Sequence, residues 1–371
     1  MEQEAEAGAA MRCEVVIVGG GLVGLSLAVA LGRHGVETVV IDREDPATAT
    51  GAAFDGRVSA IARASMAMLQ AVGIARHVGE SQPIWDIRVS DGDSLLFLHY
   101  DHRELGTEPF GHMIENRLLR LALLAALVET PGARLLAPAA LRRLERGAGG
   151  VSAELADGRR IRALLAIGAD GRNSRLREEA GIRTLGWSYP QTGIVCTVAH
   201  ELPHHGIAQE RFLPAGPFAI LPMTGNRSSL VWTERAELAP AILKLGPAEF
   251  QAEMARRFGD YLGRTEVVGP RWSYPLALHH AETYLAERLA LVGDAAHGIH
   301  PIAGQGLNMG LRDVAALTEV VVEARRLGLD PGSSAVLERY ERWRRFDNVL
   351  LSAVTDILNR LFSNDIAPLR L

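Results

Sequence analysis

The sequence predicts an α/β fold, in which buried strands alternating with helices share the chain with a second, mostly antiparallel sheet. Three observations carry that reading. The run Val15–Val18 is continuously apolar, passes through Gly19-Gly20-Gly21-Leu22-Val23-Gly24 into a helical stretch, and is followed by Val39-Val40-Ile41-Asp42. Apolar runs joined by a helix mark buried, parallel-type strands. The same pattern returns at 164–170 and 289–292. Between about 187 and 274 the texture changes to short β-like runs (193–199, 216–223, 228–233) punctuated by Pro and Gly, which reads as a separate antiparallel layer.

The first unit has the form of a Rossmann-like dinucleotide site. Gly19 permits the tight turn, Gly21 lets backbone N–H groups approach a pyrophosphate, and Gly24 allows close helix–strand packing. The helix N-terminus turns its positive end to the phosphates, and Asp42 ends the second strand where an adenosine ribose needs an acceptor. This motif serves FAD and NAD(P) alike. Further along, 45–56 reads as an exposed loop, 59–72 as a helix, and 87–101 as a hairpin about Asp91-Gly92-Asp93. A helix over 118–129 stops at Pro131-Gly132, and short strands follow at 135–136, 151–155 and 161–166. Helices are predicted at 247–258 and 306–326, and a last helical region runs from Ser334 after the Pro331-Gly332 break.

Composition narrows the classes. At 371 residues the chain holds one large or two joined domains, and 48% hydrophobic with 22% charged residues is ordinary for a globular protein. A net charge of −5 gives no basic footprint for nucleic acid. Two cysteines, Cys13 and Cys196, make no disulfide framework and no C-x-x-C. Residues 1–10 are acidic and Ala-rich, expected to be a disordered tail rather than a secretory signal. No apolar stretch reaches the roughly 18 residues of a membrane span; 118–128 contains Arg120 and reads as an amphipathic core helix. The expectation is a cytoplasmic protein, with peripheral contact to the inner membrane left open.

Two further motifs choose between the dinucleotides. Gly168-Ala169-Asp170-Gly171-Arg172-Asn173-Ser174-Arg175-Leu176-Arg177 is a strand end running into a polar turn. Leu291-Val292-Gly293-Asp294-Ala295-Ala296-His297 leads through His300-Pro301-Ile302-Ala303-Gly304-Gln305-Gly306-Leu307-Asn308 into a helix. An acid after a strand can hold a ribityl chain, and loop N–H groups at a helix start can face an electron-rich ring. With the first unit, these motifs resemble those of class A flavin monooxygenases, the para-hydroxybenzoate hydroxylase group. Residues 55–59 and 300–308 are similar to the ubiquinone-biosynthesis hydroxylase family within it.

That resemblance implies FAD bound by a Rossmann-like domain assembled from 11–80, 105–185 and 275–330. An antiparallel substrate-binding sheet from 81–104 and 186–274 would cover it, and 331–371 would form a C-terminal helical region. The family usually continues some tens of residues further, which implies a shortened chain. Gly19, Gly21 and Gly24 would carry the pyrophosphate turn, with Asp42 and Arg43 at the adenosine. Arg57 would lie beside the phosphates and the incoming nicotinamide nucleotide, and Asp170 would meet both FAD and NAD(P)H. Asp294 would hold the ribityl or pyrophosphate region. Gly304, Gly306, Leu307 and Asn308 would line the isoalloxazine, and Pro301 and His300 would stand at its reactive edge. Glu115 occupies a position where many relatives have Gln or Arg, so Arg117 is taken as the contact there.

The activity implied is hydroxylation of a polyprenylated phenol in ubiquinone synthesis. NAD(P)H would reduce the flavin, and O₂ would add to give a C4a-hydroperoxide. Partnership in a ubiquinone-biosynthesis complex is a further implication. A hydroxylase of small soluble aromatics, a flavin-dependent isoprenoid reductase and a non-catalytic flavin scaffold stay open beside it. His297 and His300 lack the carboxylates or cysteines of a usual metal site, so no metal is expected. His204-His205 and His279-His280 read as loop residues. Arg342, Arg344 and Arg345, interleaved with Trp343 and Phe346, read as a solvated helix face ahead of a membrane-facing one.

Overall fold

The computed structural model describes residues 10–51, 56–92, 94 and 96–363. The tail up to residue 9, Asp55 of the 55–59 motif, Asp93 of the hairpin turn and the closing residues 367–371 lie outside the described residues.

Among the described residues the chain forms four sheets. The six-stranded one runs in the order Leu285–Ala286, Leu289–Leu291, Leu165–Gly168, Val15–Val18, Thr38–Ile41, Ala133–Leu136. Its strands are parallel except for the edge pair Leu285–Ala286 on Leu289–Leu291. The helix Leu22–Arg33 that joins the first two strands is buried from Gly24 to Gly32. It lies in the core shared with the long helix Gln305–Arg326, which explains its apolar residues on every side. Each leucine taken fully from water there contributes about 1.5–3 kcal/mol.

The eight-stranded sheet has the order His297–Gly298, Thr265–Ala281, Thr184–His200, Arg227–Arg235, Gly216–Met223, Ile207–Leu213, Asp86–Asp91, Phe97–Asp101. It is antiparallel apart from Ile207–Leu213 on Asp86–Asp91. The expected hairpin is present, Asp86–Asp91 with Phe97–Asp101. The helix Pro247–Phe258 seats Phe250, Met254 and Phe258 against Trp232, Phe218 and Ile194, giving this sheet a second core. The chain passes directly between the two large sheets at 281–285 and again at 292–298. The turn Gly293–Ala295 leaves the parallel sheet, and His297–Gly298 at once becomes the edge of the other.

Four local expectations need correction. Residues 45–56 are not loop throughout: Asp45 caps a short helix, Pro46–Thr50, by accepting from Ala47 N. Residues 59–72 are not one helix: Val58–Ala62 is a strand on Gly111–Glu115, and the helix is Arg63–Ala71. Local propensity favours helix there, but pairing with a strand some fifty residues away wins; Gly111 lets the two backbones close up, for a Cβ there would lie 2.3 Å from the Ile61 carbonyl oxygen. His279 and His280 belong to the strand Thr265–Ala281 rather than to a loop. Arg344 is not on a solvated face but buried, on the inner side of the helix Ser334–Phe362.

Candidate active site and cofactor cradle

The first glycine turn is shaped by contacts that exclude side chains. Gly19 has φ +109°, and a Cβ there would lie 2.2 Å from the Ala169 carbonyl oxygen. At Gly24 a Cβ would fall 1.9 Å from the Gly19 oxygen, so the helix can approach its strand only without one. Gly21 differs: nothing lies within 4 Å of a Cβ built on it. That open side faces outward at the helix N-terminus, where no side chain caps the helix and no acid occupies the first turn. Asp42 braces the turn, its Oδ2 accepting from Gly20 N at 2.7 Å and its Oδ1 from Glu44 N at 2.9 Å. A carboxylate has further lone pairs, so a ribose hydroxyl can still be accepted. Arg120 Nη2 stands 3.8 Å from Asp42 Oδ2, and Arg43 is exposed just beyond.

The second motif sits beside the first. Asp170 Oδ2 accepts from Leu176 N at 3.2 Å, while its Oδ1 is buried with no partner among the described residues. A buried carboxylate oxygen without a donor is costly unless a ligand supplies one. Arg117 Nε is likewise buried without a partner, at the start of the helix Asn116–Val128. Glu115 stands with its Oε1 3.6 Å from Arg227 Nη2.

The third motif is pinned backbone group by backbone group. Gly293 N donates to Asp313 Oδ2 at 3.0 Å, Arg177 Nη1 donates to the Ala295 oxygen at 2.9 Å, and His279 Nε2 lies 2.9 Å from the Asp294 oxygen. The Asp294 side chain stays exposed and lines the cavity described below. Beyond it Gly304 takes φ +61° and opens the helix Gln305–Arg326, which has no side-chain cap and no acid in its first turn. Gly306 has nothing within 4 Å of a Cβ position. The Asn308 side chain is committed elsewhere: its Oδ1 accepts from Ala62 N at 2.9 Å, and its Nδ2 donates to the Ala60 oxygen at 2.8 Å. It acts as one more strand on the edge of Val58–Ala62, tying the strand that follows Arg57 to this helix.

Behind this loop lies a buried polar knot that motif reading missed. Asp313, fully buried, accepts from Arg344 Nε at 2.9 Å and lies 2.6 Å from His297 Nε2. Burial alone raises its carboxyl pKa, but His297 and Arg344 outweigh that and hold it below the usual carboxylate value. Arg344 Nη2 donates to Asn348, which donates on to Tyr284. The signal was present as polar residues at 344, 348, 352, 355 and 359, spaced to share one helix face.

A cavity of about 1110 Å³ lies beside the third motif. Arg57, Arg172, Asp294, Pro301, Gly304 and Gly306 lie along it, and the eight-stranded sheet lines the remainder with side chains such as Val195, Ala219, Leu221 and Val231. Pro301 therefore lines the cavity. His300 is fully buried edge-on to Tyr189 at 5.2 Å and is not among the lining residues; burial pushes its imidazole down to about 4.

The family model described as an FAD binding domain matches residues 12–346. The chain is 60% identical to ubiquinone hydroxylase UbiL of Rhodospirillum rubrum, over 96% of this chain and 83% of that protein. It is 38% identical to the 3-demethoxyubiquinol 3-hydroxylase of Escherichia coli, over 96% of this chain and 92% of that one. The chain belongs to the ubiquinone hydroxylase family of FAD-dependent aromatic monooxygenases. Solved structures share the hydroxylase fold. PqsL of Pseudomonas aeruginosa aligns at TM-score 0.79 and 22% identity, over 95% of this chain and 97% of that one. The p-nitrophenol 4-monooxygenase PnpA of Pseudomonas putida aligns at TM-score 0.79 and 21% identity, over 96% and 91%.

This hydroxylase is thus an FAD-dependent monooxygenase, and its residues fit the cofactor. The open faces at Gly21 and Gly306 and the unpartnered Asp170 Oδ1 are where ligand atoms have room and a use. No helix of the described residues is long and apolar enough to cross a membrane.

Proposed function

We propose that this hydroxylase adds one hydroxyl to a polyprenylated phenol in ubiquinone synthesis, drawing electrons from NAD(P)H and oxygen from O₂. The observation that carries the reading is the cavity, whose sheet-lined part is walled mainly by apolar side chains from several strands, with Asp91 and Glu210 its only charged groups among the described residues and no cation beside them. A compact acidic substrate calls for a cationic anchor in that far part. The cavity's arginines, Arg57 and Arg172, belong instead to the flavin motifs. That favours a greasy substrate over a small acid. Operation at the inner membrane from the cytoplasmic side, within a ubiquinone-biosynthesis assembly, belongs to the same reading.

Bound FAD supplies the redox chemistry, passing electrons from NAD(P)H to O₂ so that one oxygen reaches the ring and the other leaves as water. The chain's own residues position and exclude. Gly19, Gly21, Gly24 and Asp42 would hold the adenosine and pyrophosphate half, with Arg43, Arg57 and Arg117 as neighbouring cations. Asp170 and Asp294 would accept from hydroxyls of the cofactor, and backbone groups from Gly304 to Asn308, beside Pro301, would hold its ring. Apolar walls keep water from the reacting centre. Glu210, on Ile207–Leu213 between cavity-lining Ala208 and Phe212, supplies an acceptor for the phenol proton. Burial raises its carboxyl to about 7, which suits a base at neutral pH.

The test is mass spectrometry of quinone intermediates in cells lacking this gene. A polyprenylphenol short of one hydroxyl should accumulate and clear on complementation. An unchanged profile, in a host with no second hydroxylase, would refute the assignment.

A further inference from the structure

The helix Ser334–Phe362 is turned inside out. From residue 344 onward its buried positions are polar: Arg344, Asn348, Ser352, Thr355 and Asn359. Arg344 bonds to Asp313, Asn348 to Tyr284, and Asn359 to Gln191, while Asp356 accepts from Tyr189 and Trp187. The outward positions are the apolar ones, with Phe346 75% exposed, Leu350 53%, Val354 43% and Ile357 60%. Their spacing makes one stripe along the helix. An ordinary surface helix shows the reverse arrangement, and an exposed apolar stripe of this kind marks a contact with protein or membrane.

Two observations name the occupant. The stripe runs into the cavity: Leu358 and Phe362 line it, next to exposed Ile357 and Leu361. Across from them Leu96, Phe97 and Leu98 line the same cavity and are themselves exposed. A second protein seated here would close that opening, whereas a lipid layer seated here would feed it. The charges agree. Arg342, Trp343 and Arg345 are exposed at one end of the stripe, and Arg360 packs over Trp187, 5.3 Å from the ring, at the other. Between 346 and 359 the one exposed charged position is Asp347, which pairs with Arg344 and Arg312. Cations and tryptophans bracketing an apolar face are the arrangement of a helix lying in a membrane interface.

We propose that this stripe, together with Leu96–Leu98, rests on an anionic phospholipid surface, with the cavity opening into the acyl layer. The proposal rests on the lipid-tailed substrate argued above. The FAD-loaded full chain is to be sedimented with phosphatidylcholine vesicles, with and without phosphatidylglycerol. Binding is expected, stronger with phosphatidylglycerol. The double variant Val354→Glu/Ile357→Glu should bind about tenfold less or worse, at unchanged flavin content and melting temperature. Leu329→Glu, at another exposed leucine, should bind as the parent does. No binding by the parent, or equal binding by the double variant, overturns the proposal. So does a parent dimer that the double variant turns into a monomer, because the stripe then lies between copies. No substrate enters this assay, so failure of the quinone reading shows separately, in the cellular intermediates.

Discussion

At the scale of single residues, Gly21 and Glu210 make the sharpest claims. A side chain at Gly21 meets no protein atom, so Gly21→Val should fold yet fail to hold flavin. The absorbance ratio of flavin to protein should fall several-fold while the melting curve matches that of apo parent; a normal flavin ratio refutes the cradle. Glu210 is neutral below about 7 and ionised above it. As a base it acts only when ionised, so kcat/KM should rise with pH through that region. Glu210→Gln should abolish the rise and lower the plateau, and an unchanged profile removes Glu210 from the chemistry. The glycines and acids of the three motifs were legible because each acts within a few residues of its neighbours. Glu210 was not. Its meaning depends on which way a strand faces and on a cavity formed by distant segments, and neither is visible in one sequence.

At the scale of elements, the buried knot beneath the loop that starts at Gly293 decides how firmly that loop is held. Removing Arg344 leaves Asp313 buried against His297 and Asn348 with its guanidinium partner gone. Arg344→Ala should cost about 3–5 kcal/mol in urea unfolding, and should weaken FAD binding through the Gly293 N–H that Asp313 holds. Arg339→Ala, on the same helix with its exposed partner Glu323, should cost within about 1 kcal/mol. Equal losses in the two variants would refute the knot. Strands and helices were readable wherever apolar periodicity was strong, as at Pro247–Phe258 and Gln305–Arg326. The strand Val58–Ala62 was not, since it is made by its partner Gly111–Glu115 and by the Asn308 amide rather than by its own propensity. The polar face of the last helix misled for a related reason: arginine beside tryptophan and phenylalanine reads as surface until its carboxylate is found.

At the scale of the whole molecule, the proposed cofactor cradle draws on Gly19–Gly24, Asp170, Asp294 and Gly304–Gly306, on chain segments that follow the strands Val15–Val18, Leu165–Gly168 and Leu289–Leu291 of the six-stranded sheet. A ligand bound only by the folded form stabilises it by about 2.7 kcal/mol at a free concentration one hundred times its Kd. Titrating FAD into apo protein should therefore raise Tm progressively, and a Tm indifferent to FAD would show that the segments do not share one ligand. The Arg344–Asp313 pair has a consequence for synthesis as well. Domains tend to form from the N-terminus while the chain is still emerging, and every flavin-binding motif leaves the ribosome before Arg344 does. Until that arginine arrives, Asp313 has no guanidinium to meet it, and the loop above it lacks its brace. Firm cofactor loading thus becomes one of the last events in the birth of the protein, and a nascent chain halted short of Arg344 would be released with a weaker hold on its flavin.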